Sequence, residues 1–318
     1  MKLEETFRPD FDKSLLHPRY WPVWLGFGLL AFIVNILPYN MLFKLGRGIG
    51  AIAMKFAKRR VDVAKRNLEL AFPDMEKEKR DAFVVENFKN TGMAIIETGI
   101  AWFWPDWRFA RIIKEEDTSA IRQHAQNNQG ALLCAVHALS LEVMCRAYAS
   151  IGLPGYGVYR PHSNAAYNFI QNWGRTRGGN GIIDRSDLKR MIRMLKKGHR
   201  VFYLPDHDYG RKKSVFVPLF AVEKASTTTG TSILVKTSRC ALVITSAFRN
   251  PNGKYEVIAD QSIENNFPQD QTEAAAYMNH YVEKLIMRAP EQWMWLHKRY
   301  KTLPESSNEA PRYKSKKG

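Results

Sequence analysis

Two residues near the middle of the chain have the types and spacing of a general base and its carboxylate partner. His137 ends the apolar run ALLCAVH (131–137), and Glu142 follows five positions later in HALSLE. On one continuous helix, residues five apart lie ~140° around the axis and do not face each other. If His137 lies in the loop after a strand and Glu142 in the first turn of the next helix, the carboxylate can reach back to the imidazole. The pair then predicts proton abstraction, with Glu142 fixing the tautomer of His137 and stabilising its protonated form.

No serine or cysteine nucleophile accompanies this pair. The sequence has no GxSxG motif, and Ser186 and Lys189, although spaced as SxxK, fall on a segment patterned as a surface helix. A base without a nucleophile on the enzyme favours a substrate hydroxyl as the attacking group. Acyl transfer to such a hydroxyl needs only a base, an oxyanion stabiliser and good positioning. A packed histidine without a catalytic role is the alternative that the motif leaves open.

Arginines lie near two other predicted strands. Arg160 follows GYGVY, and Arg175 and Arg177 lie in the segment GRTRGGNG before GIID. The planar guanidinium suits phosphate groups, so the three side chains together predict an anion site. For any one of them taken alone, a solvated surface charge is the favoured interpretation.

A third group of polar residues, LPDHDYG, follows the apolar run VFYL. Asp206 and Asp208 flank His207 in this group. The carboxylates could orient the arginines or, as a weaker alternative, bind a divalent metal. For His207 the interpretation is structural hydrogen bonding.

The elements that must position these residues alternate between helical and strand-like patterns. The predicted strands are 131–137, 155–160, 181–184, 201–206 and a pair, 241–248 and 254–259, around a PNG turn. The predicted helices are 76–100, 139–151, 163–173, 185–198, 232–239 and 272–288. This alternation predicts an α/β domain with a mixed sheet flanked by helices. Open sheets of this class present ligand sites at the carboxyl ends of their strands.

The composition narrows the class of partner. The 318 residues carry 48 Lys and Arg against 31 Asp and Glu, a net charge of +17, and 45% of them are apolar. This profile excludes a disordered acidic chain, a collagen-like repeat and a disulfide-stapled mini-protein. The charge points to an anionic partner: nucleic acid, a phosphorylated membrane surface or an acidic protein. The spacing of the three cysteines matches no known metal-binding motif, and we predict that they are small buried apolar residues.

The N-terminal part of the chain predicts a membrane anchor. No residue from 20 to 43 is charged, and 24 helical residues reach ~36 Å, enough for a hydrocarbon core of ~30 Å. Asn35 and Pro38 weaken the second half, so a span and a re-entrant anchor both remain open. Residues 44–66 hold eight basic residues and one acid, which places the following domain in the cytoplasm and reads as a basic amphipathic helix on anionic headgroups.

The predicted organisation therefore has four parts. An N-terminal segment (1–19) precedes the anchor (20–43), a cytoplasmic catalytic domain with a basic start (44–304) follows, and a basic, disordered tail (305–318) ends the chain. Gly46, Gly48 and Gly50 are interpreted as small residues in a helix, because no strand precedes them as in a nucleotide-binding motif.

At these residues the chain resembles the lipid A biosynthesis lauroyl/myristoyl acyltransferases, the late, secondary acyltransferases of Gram-negative bacteria. The blocks that carry the resemblance are HALSLE, VYRPHSN, GRTRGGNGIIDRSDLK, LPDHDYG, SVFVPLFAVEKASTTTGT and APEQWMWLHKRYKTLPE. They extend from the anchor to about residue 304, and VYRPHSN and LPDHDYG favour the lauroyl branch.

The resemblance implies a glycerolipid-acyltransferase-like fold behind a single N-terminal anchor at the cytoplasmic face of the inner membrane. It implies an acyl-acyl carrier protein thioester as donor and Kdo2-lipid IVA as acceptor, acylated on the hydroxyl of a 3-hydroxyacyl chain, with no cofactor or metal. His137 and Glu142 match the family's HX4(D/E) pair and take its catalytic role. The residues implied in substrate binding are Arg160, Asp206, Arg175, Asp208 and Tyr209.

Two other functions are compatible with parts of this pattern. A glycerophospholipid acyltransferase of the lysophosphatidate type uses a similar HX4D motif. A membrane-tethered nucleic-acid-binding protein would account for the charge, but the sequence has no RNP-type aromatic motif, zinc knuckle or identifiable recognition helix. Nucleic acid is therefore not an expected partner.

Overall fold

A computed structural model of the chain describes residue 3, residues 9–305 and residues 307–313. The α-helices are α1 (Trp21–Ile36), α2 (Tyr39–Phe56), α3 (Lys58–Ala71), α4 (Lys77–Phe103), α5 (Asp106–Ala110), α6 (Ser119–Gln126), α7 (Leu141–Ser150), α8 (Ala165–Thr176), α9 (Leu188–Lys196), α10 (Gly230–Ser238) and α11 (Gln271–Arg288). The β-strands are β1 (Ile113–Asp117), β2 (Ala131–Cys134), β3 (Tyr156–Tyr159), β4 (Gly181–Asp184), β5 (Arg200–Tyr203), β6 (Ser214–Leu219), β7 (Val222–Thr228), β8 (Ala241–Arg249) and β9 (Tyr255–Ser262).

A mixed sheet forms the centre of the domain. Among the described residues, seven strands pair in the order β1-β9-β8-β2-β5-β3-β4, and β6 and β7 form a separate antiparallel hairpin. In the large sheet β8 and β9 run antiparallel, and the other pairs run parallel. Helices cover both faces, so the predicted fold class is confirmed.

Strand β2 explains why the sheet is covered on both sides. Leu132 and Cys134 belong to one buried cluster, whereas Ala131 and Leu133 belong to a second cluster on the opposite face. Successive strand residues point to opposite faces, so a strand without a polar position needs apolar cover on both. This requirement places β2 in the middle of the sheet, and its carboxyl end leads directly to His137.

The sequence patterns did not predict the strands that lack a clear apolar period. Strand β1 lies at an edge of the sheet and exposes most of its side chains, and β6 contains Pro218, which a central strand does not tolerate. The hairpin β6–β7 packs against α11 instead of joining the large sheet.

The apolar segment 20–43 is divided between α1 and the first turn of α2. Leu37 has extended backbone, and Pro38 separates α1 from α2, because proline lacks an N–H and disfavours helix in the preceding residue. By length and composition, Pro18–Ile36 is the described helical segment that could cross a membrane. The prediction of small helical residues is confirmed: Gly46 and Gly50 lie in α2, and a Cβ on Gly50 would lie 2.0 Å from the Phe88 carbonyl oxygen of α4.

The segment predicted to be a basic, disordered tail contacts the domain through Tyr313. Tyr313 is buried, its hydroxyl donates to Asn67 Oδ1 (2.5 Å), and it accepts from the Tyr300 amide (2.9 Å). An aromatic side chain with two polar partners fixes this segment despite its polar composition. Residues 306 and 314–318 lie outside the described residues.

Candidate active site

The carboxyl ends of β2 and β5 bring His137 and Asp206 together. The two strands pair in parallel with Cys134 opposite Tyr203, and each polar residue follows its strand by three positions. The His137 amide donates to Asp206 Oδ2 (2.8 Å), and His137 Nδ1 is hydrogen-bonded to Asp206 Oδ1 (2.7 Å). The imidazole side chain remains 21% exposed, whereas the carboxylate is fully buried.

Asp206 is held in its ionised form by its surroundings. Trp293 donates its indole N–H to Asp206 Oδ2 (2.7 Å), so both carboxylate oxygens have partners. Burial alone would raise the pKa of Asp206, but the charge of His137 and these hydrogen bonds outweigh burial and hold the pKa well below 3.8. An ionised carboxylate on Nδ1 fixes the tautomer with its proton on Nδ1, which leaves the Nε2 lone pair free to accept a proton.

Glu142 does not contact His137 in the way the spacing predicted. It lies in the first turn of α7, as expected, but its carboxylate accepts from Arg175 Nε (3.0 Å) and from Trp102 Nε1 (3.0 Å). Burial would lower the pKa of Arg175, but the charge of Glu142 outweighs burial and raises it. Glu142 therefore ties α7 to α8 and α4, and Asp206 takes the position on the imidazole that the sequence assigned to Glu142.

The three arginines do not form one anion site. Arg175 lies in α8 and is neutralised by Glu142, while Arg177 donates to the Trp102 carbonyl (2.7 Å) and stacks over Trp173. Arg160 follows β3 as predicted and is exposed, and its side chain forms no hydrogen bond or ion pair with the part of the chain that the structure describes. Of the three, Arg160 is the one available to an anionic ligand.

Asp208 and Tyr209 have structural partners. Asp208 is buried and accepts from the Thr302 amide (2.8 Å), the Thr302 hydroxyl (2.7 Å) and the Gly210 amide (2.9 Å). Tyr209 is 48% exposed, and its hydroxyl donates to the Leu204 carbonyl (3.0 Å). The Asp208 carboxylate thus fixes the C-terminal segment, and Tyr209 presents an exposed ring beside the loop.

A stack of imidazoles, which the sequence patterns did not predict, covers one face of His137. The His207 ring lies 3.4 Å from that of His137 and nearly parallel to it, and His297 stacks on the far side of His207 at 4.3 Å. Nε2 of His207 has no hydrogen-bond partner among the described residues, so stacking replaces the expected structural hydrogen bonding. His297 and Trp293 both belong to the block APEQWMWLHKRYKTLPE, whose tryptophans and histidine were the available signal.

Stability is expected to depend on pH through this stack. Burial, with the charge of His137, lowers the pKa of His207 from 6.5 to about 3. In the unfolded chain this histidine binds a proton near pH 6.5, whereas in the folded chain it remains neutral until about pH 3. The free energy of unfolding therefore decreases as the pH falls through this window. Between about pH 6.5 and pH 5 we expect a loss of ~1–2 kcal/mol.

Thermal unfolding of the wild type and of His207→Phe at both pH values measures this loss. The variant keeps a stacked ring but cannot titrate, so its Tm should fall less on acidification. Equal falls in the two proteins would contradict the assignment to His207.

The residues around His137 also carry side chains that can bind a metal ion. Ligand atoms of His137, Asp206 and His207 lie within 4.8 Å of one another. However, the Asp206 oxygens are already paired with His137 and Trp293, and those of Asp208 with Thr302 and Gly210. The donor set therefore fits an orienting carboxylate better than a metal ligand.

An apolar pocket opens beside this site, between α7, α8 and strands β3, β4 and β5. Apolar side chains form most of its wall: Leu141, Val158, Ile182, Phe202 and Leu204. The polar residues that reach it include Arg175 and Asn180. Pockets of this kind bind apolar groups and orient them with a few polar contacts.

The chain is similar to known proteins over most of its length. The family model of bacterial lipid A biosynthesis acyltransferases matches residues 8–302. The lipid A biosynthesis lauroyltransferase of Escherichia coli (strain K12) is 49% identical over 94% of this chain and 98% of its own length. The palmitoleoyltransferase of the same organism is 43% identical (92% and 95%), and the myristoyltransferase is 30% identical (95% and 93%). The resemblance to the lauroyl branch is confirmed.

Proposed function

The chain belongs to the bacterial lipid A biosynthesis acyltransferase family, and from this premise we propose that it moves a lauroyl chain from acyl-acyl carrier protein to a 3-hydroxyacyl hydroxyl of Kdo2-lipid IVA. His137 is the general base of the proposed reaction. The observation that carries the proposal is the bond between His137 Nδ1 and the buried, ionised Asp206, beside an apolar pocket. No serine or cysteine nucleophile is needed, because the acceptor hydroxyl attacks directly.

The reaction proceeds through one tetrahedral intermediate. His137 Nε2 takes the proton of the acceptor hydroxyl while its oxygen forms a bond to the thioester carbonyl carbon. The intermediate collapses with cleavage of the C–S bond, and the proton on Nε2 passes to the departing thiolate. Asp206 stays ionised throughout and stabilises the imidazolium formed in the first step.

The charge of the chain supports the proposed partners. Seven of the +17 net charges fall between residues 44 and 66, where an anionic membrane surface attracts them. Arg160 is exposed at the end of β3 and is our candidate for a phosphate or carboxylate group of the acceptor. The remaining positive excess favours an acidic carrier protein as donor. We therefore propose a location at the cytoplasmic face of the inner membrane.

We propose that the apolar pocket holds the acyl chain and that Gly157 sets its depth. Gly157 lines the pocket, and a Cβ built on it meets no atom closer than the Gly181 carbonyl oxygen at 3.9 Å. A larger side chain would therefore fill the pocket without displacing backbone. Each methylene lost from burial is worth ~0.8 kcal/mol.

Gly157→Leu is expected to shift the donor preference from lauroyl toward decanoyl by ~10-fold, with Gly157→Ala intermediate. Competition between mixed acyl-carrier-protein donors, followed by mass spectrometry of the product, measures the shift. Gly48→Leu is the matched control, because Gly48 is equally open but lies on α2. An unchanged preference in Gly157→Leu would place the acyl chain elsewhere.

The proposed function is tested by incubating the full-length protein with acyl-carrier-protein donors and Kdo2-lipid IVA. A mass gain of one lauroyl group on the acceptor is the expected product. Lysophosphatidate, supplied in competition, should remain unacylated. Preferential acylation of lysophosphatidate would assign the protein to glycerophospholipid synthesis instead.

A further inference from the structure

Length alone does not decide how α1 is attached to a bilayer. Together with the short helical turn before it, the segment Pro18–Ile36 has 19 residues and extends ~28 Å, close to the ~30 Å of a hydrocarbon core. The extended Leu37 and Pro38 prevent it from continuing into α2. Its mode of attachment is therefore decided by what its two ends contact.

The C-terminal end of α1 is fixed to the domain. The Trp104 indole N–H donates to the Val34 carbonyl (2.6 Å), and Arg108 donates to the Leu37 carbonyl (2.6 Å). Val34 is fully buried, and Gly99 of α4 leaves room for it. A charged guanidinium from the domain thus satisfies the last carbonyls of the helix.

The N-terminal end contacts the same domain. The Trp24 and Phe169 rings lie 6.0 Å apart, and Phe11, ten residues before Trp21, lies 5.5 Å from Phe169 of α8. Leu3 is buried beside Gly181, at the start of β4. Residues that precede α1 therefore lie on the body that contains the sheet, on the same side as the domain.

The outward face of α1 is apolar and unpaired within the described chain. Its most exposed large side chains, 56–71% accessible, repeat every three or four residues and form one stripe: Trp21, Leu25, Leu29, Phe32 and Ile36. Helix α2 exposes a second apolar stripe with spacings of four, seven and four residues, interrupted at Gly48: Met41, Leu45, Ile52 and Phe56. Exposed Lys44, Lys55 and Lys58 lie on or next to α2. An apolar face beside basic residues matches a leaflet of apolar tails and anionic headgroups.

We propose that α1 does not cross the membrane. It lies on the catalytic domain and, with α2, inserts its exposed stripe into one leaflet of an anionic bilayer, so that both chain termini remain on the side of the domain. The occupant of the stripe is lipid. The proposal concerns the geometry of attachment and does not depend on the acyl-transfer chemistry.

Cysteine labelling of the full-length protein in membranes tests this topology. Ser14→Cys lies in an exposed turn before α1, and Asn308→Cys lies in an exposed segment at the far end of the chain. A membrane-impermeant maleimide should label both in inside-out vesicles and neither in spheroplasts. The unaltered chain is the control for its own three cysteines, of which two are buried and one is partly buried.

Three results would overturn the proposal. Labelling of Ser14→Cys but not of Asn308→Cys in spheroplasts would show that α1 spans the bilayer. Labelling of Ser14→Cys only after detergent is added would show that this turn lies inside the bilayer, whereas the proposal leaves it in water. A Leu29→Cys variant that forms disulfide-linked dimers in membranes would show that a second copy, and not lipid, covers the stripe.

Discussion

Replacing His137 with alanine is expected to lower the rate of lauroyl transfer by about 10³-fold. The imidazole accepts the hydroxyl proton and then donates it to the departing thiolate. General acid–base catalysis of this kind increases a rate by about 10²–10⁴-fold. The side chain is partly exposed at the end of β2 and lies in neither buried cluster, so its truncation should leave the fold intact. Initial rates with acyl-carrier-protein donor and Kdo2-lipid IVA measure the effect.

The necessary control is a variant that is folded and bound to membranes. The Tm of His137→Ala at neutral pH should fall by a few degrees, because the buried Asp206 Oδ1 loses its partner while Oδ2 keeps the His137 amide and the Trp293 indole. Its sedimentation with membranes should match that of the wild type. A folded His137→Ala protein whose turnover stays within tenfold of the wild type would contradict the proposed mechanism.

Replacing Asp206 with asparagine is expected to cost about 10³- to 10⁴-fold in kcat. Two donors, the His137 amide and the Trp293 indole, point at Oδ2, so the asparagine must place its oxygen there. Its NH₂ group then faces His137 Nδ1, which has to become the acceptor. The imidazole proton moves to Nε2, and the ring can no longer take a proton from the hydroxyl. The size and burial of residue 206 are retained. We therefore expect the free energy of unfolding, followed by the Tm, to change less than the activation free energy of acyl transfer, followed by kcat.

The variant Glu142→Gln distinguishes the role of the Glu142 carboxylate from that of Asp206. It leaves the largely buried Arg175 without its counter-ion, and breaking a buried pair costs about 3–5 kcal/mol, reduced to roughly 1–3 kcal/mol by partial exposure. We therefore expect a lower Tm and a smaller loss of kcat than in Asp206→Asn. A stable Glu142→Gln protein that loses as much activity as Asp206→Asn would restore Glu142 as the carboxylate of the dyad.

Much of the fold follows from local patterns. ALLCAVH is apolar at every position before its histidine, which predicts a strand buried on both faces, and β2 is that strand. Helices α4 and α11 follow from apolar periods that continue over several turns. The edge strand β1 and the hairpin β6–β7 were missed, because neighbours in space, and not an apolar period, stabilise them.

The sequence by itself determined that His137 follows a buried strand, that Glu142 lies in the first turn of the next helix, and that an uncharged, aromatic-rich segment precedes a basic one. These properties depend on residues a few positions apart, which share a strand, a turn or a helix face. Only the tertiary structure decided which carboxylate reaches the imidazole. Strand order places β5 beside β2 and so puts Asp206 on Nδ1, 69 residues away in the chain, while α8 brings Arg175 to Glu142. The packing of α1 onto α4 and α8 was settled in the same way, because helix contacts depend on surfaces distant in the sequence.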